Sequence, residues 1–598
     1  MELKNSPKIF ENYKCDYPEN TIKKIEEGFK SLGLEIVYHE KTVGSSDAVI
    51  YSGYALIDFL GFTQSGKGTT HMLSKASAYA EAAERFSTGF MSMRMPFPEK
   101  TSKYRKLLSD VTERKFLKGF IKEDEESTKI EYINTYFHEK INKNQYDLLK
   151  DKGSLKYLVD AYSLIKKRVV NVPIVFIEEK STSNGLAAGN TIEEAISQAS
   201  FEIFERYCAN KIISEKIICP TIKNDTIKDD KIQSYLKMFN SLNIEVIIKD
   251  FSLGNRFPVI GVLFVNKNFA NDKNKLKKDR YYQRIEIAAH CDLRDAVIRC
   301  FTEHLQNVST DELLKRKETD VLYNYWVNIL NKEYIGVDDE FKYFTRFYDY
   351  YDDLSFLKFG KELAFGSLNS VVNNDSLDDV EFVKNICIQN NWDMLIIDYT
   401  HKTINFPVAR VIIPPISTDF DHFTKKCEKN SDFKERFNEF YGIKDFYFFI
   451  KENDWINDKT KIKKLIYNLE SYLSKELPYF EIYLTRENNF QQYINILHIL
   501  PFLYLSIDCK KEAYVYFKFL LELDLKPPYD SSFFNKIFLS VQNPEIYLKY
   551  MYLIEKAIEA GSNFYFELKS NPFHYDVLSD NLEGLYLNLI KNINDSYL

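Results

Sequence analysis

Apolar residues along this chain recur at two spacings, and the switching between them sets its class. Ile22 to Leu32 follows helical spacing, with Thr21 as the expected N-cap, Pro18 shaping the approach and Gly33 ending the helix. Leu34 to His39 then reads as a short strand. Val169 to Ile177 is an apolar strand interrupted by Pro173. Ile244, Val246 and Ile248 recur at every second position, and Pro258 to Val265 follows as an adjacent strand. Asp292 to Val308, preceded by His290, predicts a helix, while Met394 to Tyr399 and Phe406 to Pro415 are apolar runs of the buried-strand type. Beyond about Asp421 the glycines thin out. Lys511 to Leu523 and Pro544 to Ala560 each read as amphipathic helices, resembling tetratricopeptide pairs without a clean repeat of about 34 residues. Such a region would serve as a cap over the core or as a docking surface for a protein partner. The expectation is an α+β core over residues 1–420 and an all-helical, tetratricopeptide-like region over 421–598.

The 598 residues suffice for two to four domains and an ample core. A net charge of -7 is small for that length, so no global field favours nucleic acid, and the basic run Lys273 to Arg280 reads as a solvated loop. The eight cysteines form no C-x-x-C pair, which argues against a zinc module and a secreted disulfide framework. The first residues lack the apolar centre of a signal peptide, and no run reaches the roughly 18 apolar residues of a spanning helix. A cytoplasmic protein with no membrane segment is expected.

The chemistry concentrates in Ser183 to Arg206, SNGLAAGNTIEEAISQASFEIFER. Gly185 and Gly189 mark a turn, and Thr191 with Glu194 three positions later has the spacing of a capping box. Glu194, Gln198, Glu202, Glu205 and Arg206 then fall near one helical face. Alone, that face would read as an ordinary solvated one. A second Glu-x-x-Glu-Arg, Glu81 to Arg85, lies 121 residues upstream, again one helix after a glycine-bearing stretch, Gly66-Lys67-Gly68. Two acidic helices facing each other would repel, and a hard divalent cation relieves that conflict. Magnesium is held by a few carboxylates together with substrate phosphates, and Lys67 with the arginines would meet the phosphate charge. The residues therefore point to a Mg-nucleotide site; the competing possibility for the arginines is local surface pairing of little energetic value. Gly61 to Lys67 nearly matches a Walker A loop, but Gly68 stands where a metal-binding hydroxyl belongs, so the match is taken as accidental.

These blocks resemble the signature of the YcaO family, whose members bind ATP and activate peptide-backbone amides. Ser77, Glu81, Glu84 and Arg85 meet the family's Ser-x-x-x-Glu-x-x-Glu-Arg, and Glu194, Gln198, Glu202, Glu205 and Arg206 meet its second block. The likeness runs from about Lys14 to Pro415. It implies a YcaO-type core in which Glu81, Glu84, Glu202 and Glu205 hold Mg2+. It assigns ATP to Lys14, Thr21, Lys67, Ser77, Asn190, Glu194, Gln198, Arg206 and Arg299. No residue is assigned as general base. Ala187 stands where relatives place a serine, and the C-terminus lacks the proline-rich tail of azoline-forming members. With the helical extension, this resembles the branch implicated in β-methylthiolation of a small-subunit ribosomal protein. That implies a protein or peptide substrate, a radical-SAM methylthiotransferase and the ribosome as partners, and a homodimer. Azoline or thioamide formation on a precursor peptide, and a non-catalytic partner with a regulatory ATP site, are the alternatives.

Overall fold

The computed structural model describes residues 1–11, 13–43, 49–57, 62–88, 129–136, 158–173, 183–270, 282–306 and 354–417, with shorter pieces at 142–143, 146–147, 176, 313–314 and between 459 and 512. The expected helices Lys511 to Leu523 (Glu512 aside) and Pro544 to Ala560, and the basic run Lys273 to Arg280, lie outside the described residues.

The first helix, α1 (Pro18–Ser31), starts earlier than the sequence implies. Pro18 occupies its first turn, where a missing N–H costs nothing, and Tyr17 is the N-cap. Thr21 is therefore not the cap; it sits inside the helix with its hydroxyl donating to the Tyr17 carbonyl at 3.2 Å. The C-terminus is as expected. Gly33 adopts φ 75°, its N–H reaches the Lys30 carbonyl, and the Leu34 N–H reaches Phe29, the two bonds of a Schellman stop.

A three-stranded antiparallel sheet follows, β1 (Val37–Val43), β2 (Ile50–Ile57) and β3 (Phe62–Gly68) in that order. Gly66-Lys67-Gly68 is thus strand rather than loop, paired with Gly53, Ser52 and Tyr51. The glycines serve close packing instead of a phosphate turn. A Cβ on Gly66 would lie 2.3 Å from the Ala78 nitrogen, so only a bare backbone lets α2 (His71–Ser87) lie against the strand. The short α3 (Ile130–Tyr136) packs nearby through Ile133.

Two five-stranded sheets form the rest of the core. One has the order β5 (Arg168–Pro173), β4 (Leu158–Ser163), β12 (Leu395–Asp398), β13 (Val408–Ile412), β6 (Leu186–Ala188), all antiparallel. The other runs β10 (Gln283–Ala289), β9 (Val259–Asn266), β8 (Ile244–Asp250), β7 (Thr221–Ile222), β11 (Glu362–Leu363), antiparallel except for the last pair. The helix α4 (Ile192–Ser214) shares one core with residues of both sheets. This position explains its composition: Ala195, Ile196, Ala199, Phe201, Ile203, Phe204, Cys208 and Ile212 are buried on every side. Helices α5 (Asp230–Ser241) and α6 (Leu293–His304) cover the opposite face of the second sheet, and α7 (Ser376–Gln389) packs on α4.

The region 421–598 departs from the all-helical expectation in its described backbone. β14 (Glu481–Thr485) and β15 (Gln491–Asn495) pair antiparallel, Tyr483 opposite Tyr493. EIYLT and QQYIN combine aromatic and β-branched residues in short alternating runs too brief for a helix, and Asn488-Asn489 between them is a turn signal.

Candidate nucleotide and metal site

Because α4 is apolar on its other sides, its polar residues stand out as one line: Glu194, Gln198, Glu202 and, a turn on, Glu205 and Arg206. At 1.5 Å per residue the line from Glu194 to Glu205 extends about 16 Å. Thr191 caps the helix by accepting the Glu194 N–H at 3.1 Å. The Glu194 carboxylate, however, turns to other donors. It accepts from Lys14 Nζ at 3.0 Å, the Cys15 N–H at 3.0 Å and Asn190 Nδ2 at 3.2 Å. Lys14 also donates to Gln198 at 3.3 Å, and the Thr21 hydroxyl donates to Asn190 Oδ1 at 2.6 Å. Burial pushes the Glu194 carboxyl up, but Lys14 and these N–H donors overcome it and hold it below the usual range. Lys14, Thr21, Asn190, Glu194 and Gln198, scattered through the sequence, form one satisfied cluster.

The other end of the line is built differently. Glu84 on α2 is buried, accepts the Ala188 N–H at 3.2 Å and lies 3.2 Å from Arg85. Burial pushes its carboxyl up to about 8; Arg85 pulls it back, while Glu81 and Glu202 add to the rise. Arg85 spans the group, 3.5 Å from Glu81 and within electrostatic reach of Glu202, and the three carboxylates together keep it protonated against the cost of burial. Glu202 pairs with Arg206 at 3.2 Å. Glu81, Glu84, Arg85, Glu202 and Arg206 thus converge, with too little positive charge for their carboxylates. Ser77 lies half-buried one turn before Glu81.

The third side comes from α6 and β3. Lys67 Nζ forms an ion pair with Glu303 and donates to Gln306 at 3.1 Å. The buried Cys300 on α6 lies within electrostatic reach of Glu286, Glu205, Arg299 and Lys67. Arg299 lies one turn before Glu303 and donates to the Ala289 carbonyl at 3.3 Å. His290 is buried against Phe201, and burial lowers its imidazole to about 4, which leaves it neutral. Neither the Glu303 pairing nor the Cys15 N–H has a signature in the sequence. A strand lysine facing a helix glutamate emerges only from the packing of α6 on β3.

Among the described residues no three His, Cys, Asp or Glu side chains form a metal cage by themselves. Magnesium does not require one, since it keeps water and phosphate oxygens alongside one or two carboxylates. A carboxyl raised to about 8 by burial beside two further carboxylates is the electrostatic setting that a cation would relieve. The donor set therefore fits Mg2+ shared with a phosphate chain.

A family model described as YcaO cyclodehydratase, ATP- and Mg2+-binding, matches residues 65–417. An uncharacterized protein of Haemophilus influenzae is 28% identical over 257 residues, 42% of this chain and 41% of the relative. The ribosomal protein S12 methylthiotransferase accessory factor YcaO of Escherichia coli is 35% identical over 100 residues, 17% of each chain. The chain thus matches less than half the length of either curated relative. Among solved structures, YcaO from Methanopyrus kandleri bound with AMPPCP and Mg2+ is similar at 16% identity and a TM-score of 0.43, over 69% of this chain and 94% of that one. No helix among the described residues is long and apolar enough to cross a membrane.

Proposed function

The chain belongs to the YcaO family, whose cofactors are ATP and Mg2+, and from that premise we propose that it activates a backbone amide as an accessory factor for β-methylthiolation of a small-subunit ribosomal protein. The observation that carries the Mg-ATP part is the cluster around Glu84, where burial and two neighbouring carboxylates raise one carboxyl to about 8. The ribosomal part is supported by the match to the Escherichia coli accessory factor. When bound, ATP would supply its γ-phosphoryl group, with ADP as the leaving group, to the oxygen formed when a nucleophile adds to the amide carbonyl, so that this oxygen departs as phosphate, with Mg2+ screening the charge. Glu81, Glu84, Glu202 and Glu205 are the carboxylates that would hold the metal, together with water and phosphate oxygens. Lys67, Ser77, Arg206 and Arg299 bind and orient the phosphates and ribose, and the cluster around Glu194 positions the rest of the nucleotide. Residues 1–420 form this core and 421–598 a second region that docks the partner, a radical-SAM methylthiotransferase on the ribosome. The protein works in the cytoplasm as a homodimer.

A second reading, azoline formation on a precursor peptide, is favoured by the cyclodehydratase description of the matched family. Both readings are tested by measuring ATP turnover with and without candidate substrate, and by following the ribosomal modification in cells carrying Glu202→Ala. The accessory-enzyme reading expects turnover and modification to be lost together. Turnover lost with modification intact would make the chain a binding partner with a regulatory site. Turnover stimulated by a precursor peptide, with no effect on the ribosome, would favour azolines.

A further inference from the structure

A cavity of about 390 Å3 lies at the far end of α4, where the helix, the segment leaving it, the loop between β8 and β9 and the turn after α7 meet. Tyr207 and Lys211 line it from α4. They stand about 140° and 180° around the helix from Glu202, so the cavity opens on a different flank from the nucleotide site. Tyr207, Phe257 and Trp392 form one aromatic wall. Tyr207 meets Phe257 edge-on at 5.5 Å, and Phe257 lies nearly parallel to Trp392 at 6.2 Å. Phe257 is buried beneath, while Tyr207 and Trp392 are half-buried. The β8–β9 loop turns sharply to bring its side chains here. Leu253, Gly254 and Asn255 are all left-handed, at φ 52°, 81° and 61°, and the Arg256 and Phe257 N–H groups both close on the Ser252 carbonyl. Such a conformation is uncommon for leucine.

Two charged groups lining the cavity have capacity to spare. Asp250 is only 7% exposed; its Oδ1 accepts the Ser252 N–H at 2.9 Å, and its Oδ2 has no donor among the described residues. The adjacent Lys249 does not serve it, since that ammonium donates to the Thr221 hydroxyl and the Phe359 carbonyl at 2.7 and 2.6 Å. Arg256 is exposed, and its guanidinium makes no ion pair or hydrogen bond among the described residues. Lys211, by contrast, is matched by Glu215 at 2.6 Å. A buried carboxylate oxygen calls for a cationic donor, an unmatched arginine for an anion, and the aromatic wall for an apolar body. We propose that this cavity binds a free α-amino acid with an aromatic or large aliphatic side chain. Its ammonium meets Asp250, its carboxylate meets Arg256, and its side chain lies against Tyr207 and Trp392. The volume is at the low end of the roughly 300–1,000 Å3 of small-molecule sites, which suits a single amino acid. The inference does not depend on the Mg-ATP reading.

The test is titration calorimetry on the full chain without nucleotide. It compares L-phenylalanine and L-leucine with L-phenylalaninamide, which lacks the carboxylate, and N-acetyl-L-phenylalanine, which lacks the ammonium. L-Phenylalanine should bind with a Kd below about 1 mM, and the two derivatives about tenfold more weakly or worse. Asp250→Asn keeps an acceptor for Ser252 but removes the charge, and should weaken L-phenylalanine by about tenfold. Arg256→Gln, an exposed change that leaves the fold intact, should weaken it by about threefold. Absence of binding by either amino acid up to about 10 mM would overturn the inference. Wild-type affinity in Arg256→Gln would do the same, even if Asp250→Asn failed to fold. An amide that binds as tightly as the amino acid would point to the N-terminal residue of a peptide and contradict a free amino acid. None of these results bears on the Glu84 cluster, so the Mg-ATP reading stands or falls separately.

Discussion

The two ends of the polar line on α4 follow opposite electrostatic rules. At one end Glu194 is surrounded by donors, Lys14, the Cys15 N–H and Asn190, and its carboxyl is held low despite burial. At the other end Glu84 is as deeply buried yet stands at about 8, because burial pushes it up, Arg85 offsets only part of that, and Glu81 and Glu202 add to the rise. A saturated carboxylate fixes structure; an under-compensated cluster is suited to a cation that arrives with its ligand. The fold places both on one rigid helix enclosed by two sheets, so a ligand spanning them meets a preset geometry.

This contrast predicts how the two ends respond to loss of charge. The largest effect belongs to Glu202→Ala, which should lower Mg-ATP turnover by about 100-fold or more, read as phosphate release. Wild-type turnover in that variant would remove the acidic end from the site. Next come paired amide substitutions with opposite signs. Glu194→Gln should destabilise the chain by about 1.5–3 kcal/mol, since Lys14 and the Cys15 N–H lose a charged acceptor. Glu84→Gln should raise the melting temperature at pH 7 without nucleotide, because it removes the cost of keeping a buried carboxyl protonated above its ordinary range, and should abolish the further rise caused by Mg-ATP. If both changes destabilised equally, the contrast between the ends would be false.

Acid sensitivity comes next in size and lies outside the line. Burial lowers His290, His304 and His401 to about 4, and His401 Nδ1 accepts the N–H groups of both Thr403 and Ile404 at 3.2 Å. Between about 6.5 and about 4 the unfolded chain binds protons that the folded core refuses. Stability should therefore fall as pH drops through that window, by on the order of 1–2 kcal/mol per histidine at pH 5. Melting curves at pH 7.5 and 5 would show it, and a flat profile would contradict neutral burial. The smallest effect is that of Thr191→Ala, which removes the α4 cap and should cost about 1 kcal/mol in chemical denaturation.

What the sequence reveals, and what it hides, follows the range of the forces involved. Caps and stops are local, so the Thr191 cap, the Gly33 stop and the strand pair around Ile248 and Val262 are readable from a few neighbouring residues. The repeated acidic motif is legible because both copies sit on helices whose faces follow from spacing. Thr21 misleads because a good cap residue four positions late loses to Pro18, which fixes the helix start. Gly66 and Gly68 look like loop residues, yet their purpose is the contact with α2, a long-range fact. The capping-box partner Glu194 is diverted by Lys14, 180 positions away, which no local rule registers.

The most direct test of the account is manganese binding followed by electron paramagnetic resonance, with Mn2+ in place of Mg2+ and a nonhydrolysable ATP analogue. With no cage of three ligands among the described residues, the protein should bind Mn2+ weakly alone, tightly with the analogue, and weakly again in Glu202→Ala. Tight binding without nucleotide, or tight ternary binding that survives Glu202→Ala, would contradict a metal shared between these glutamates and the phosphates.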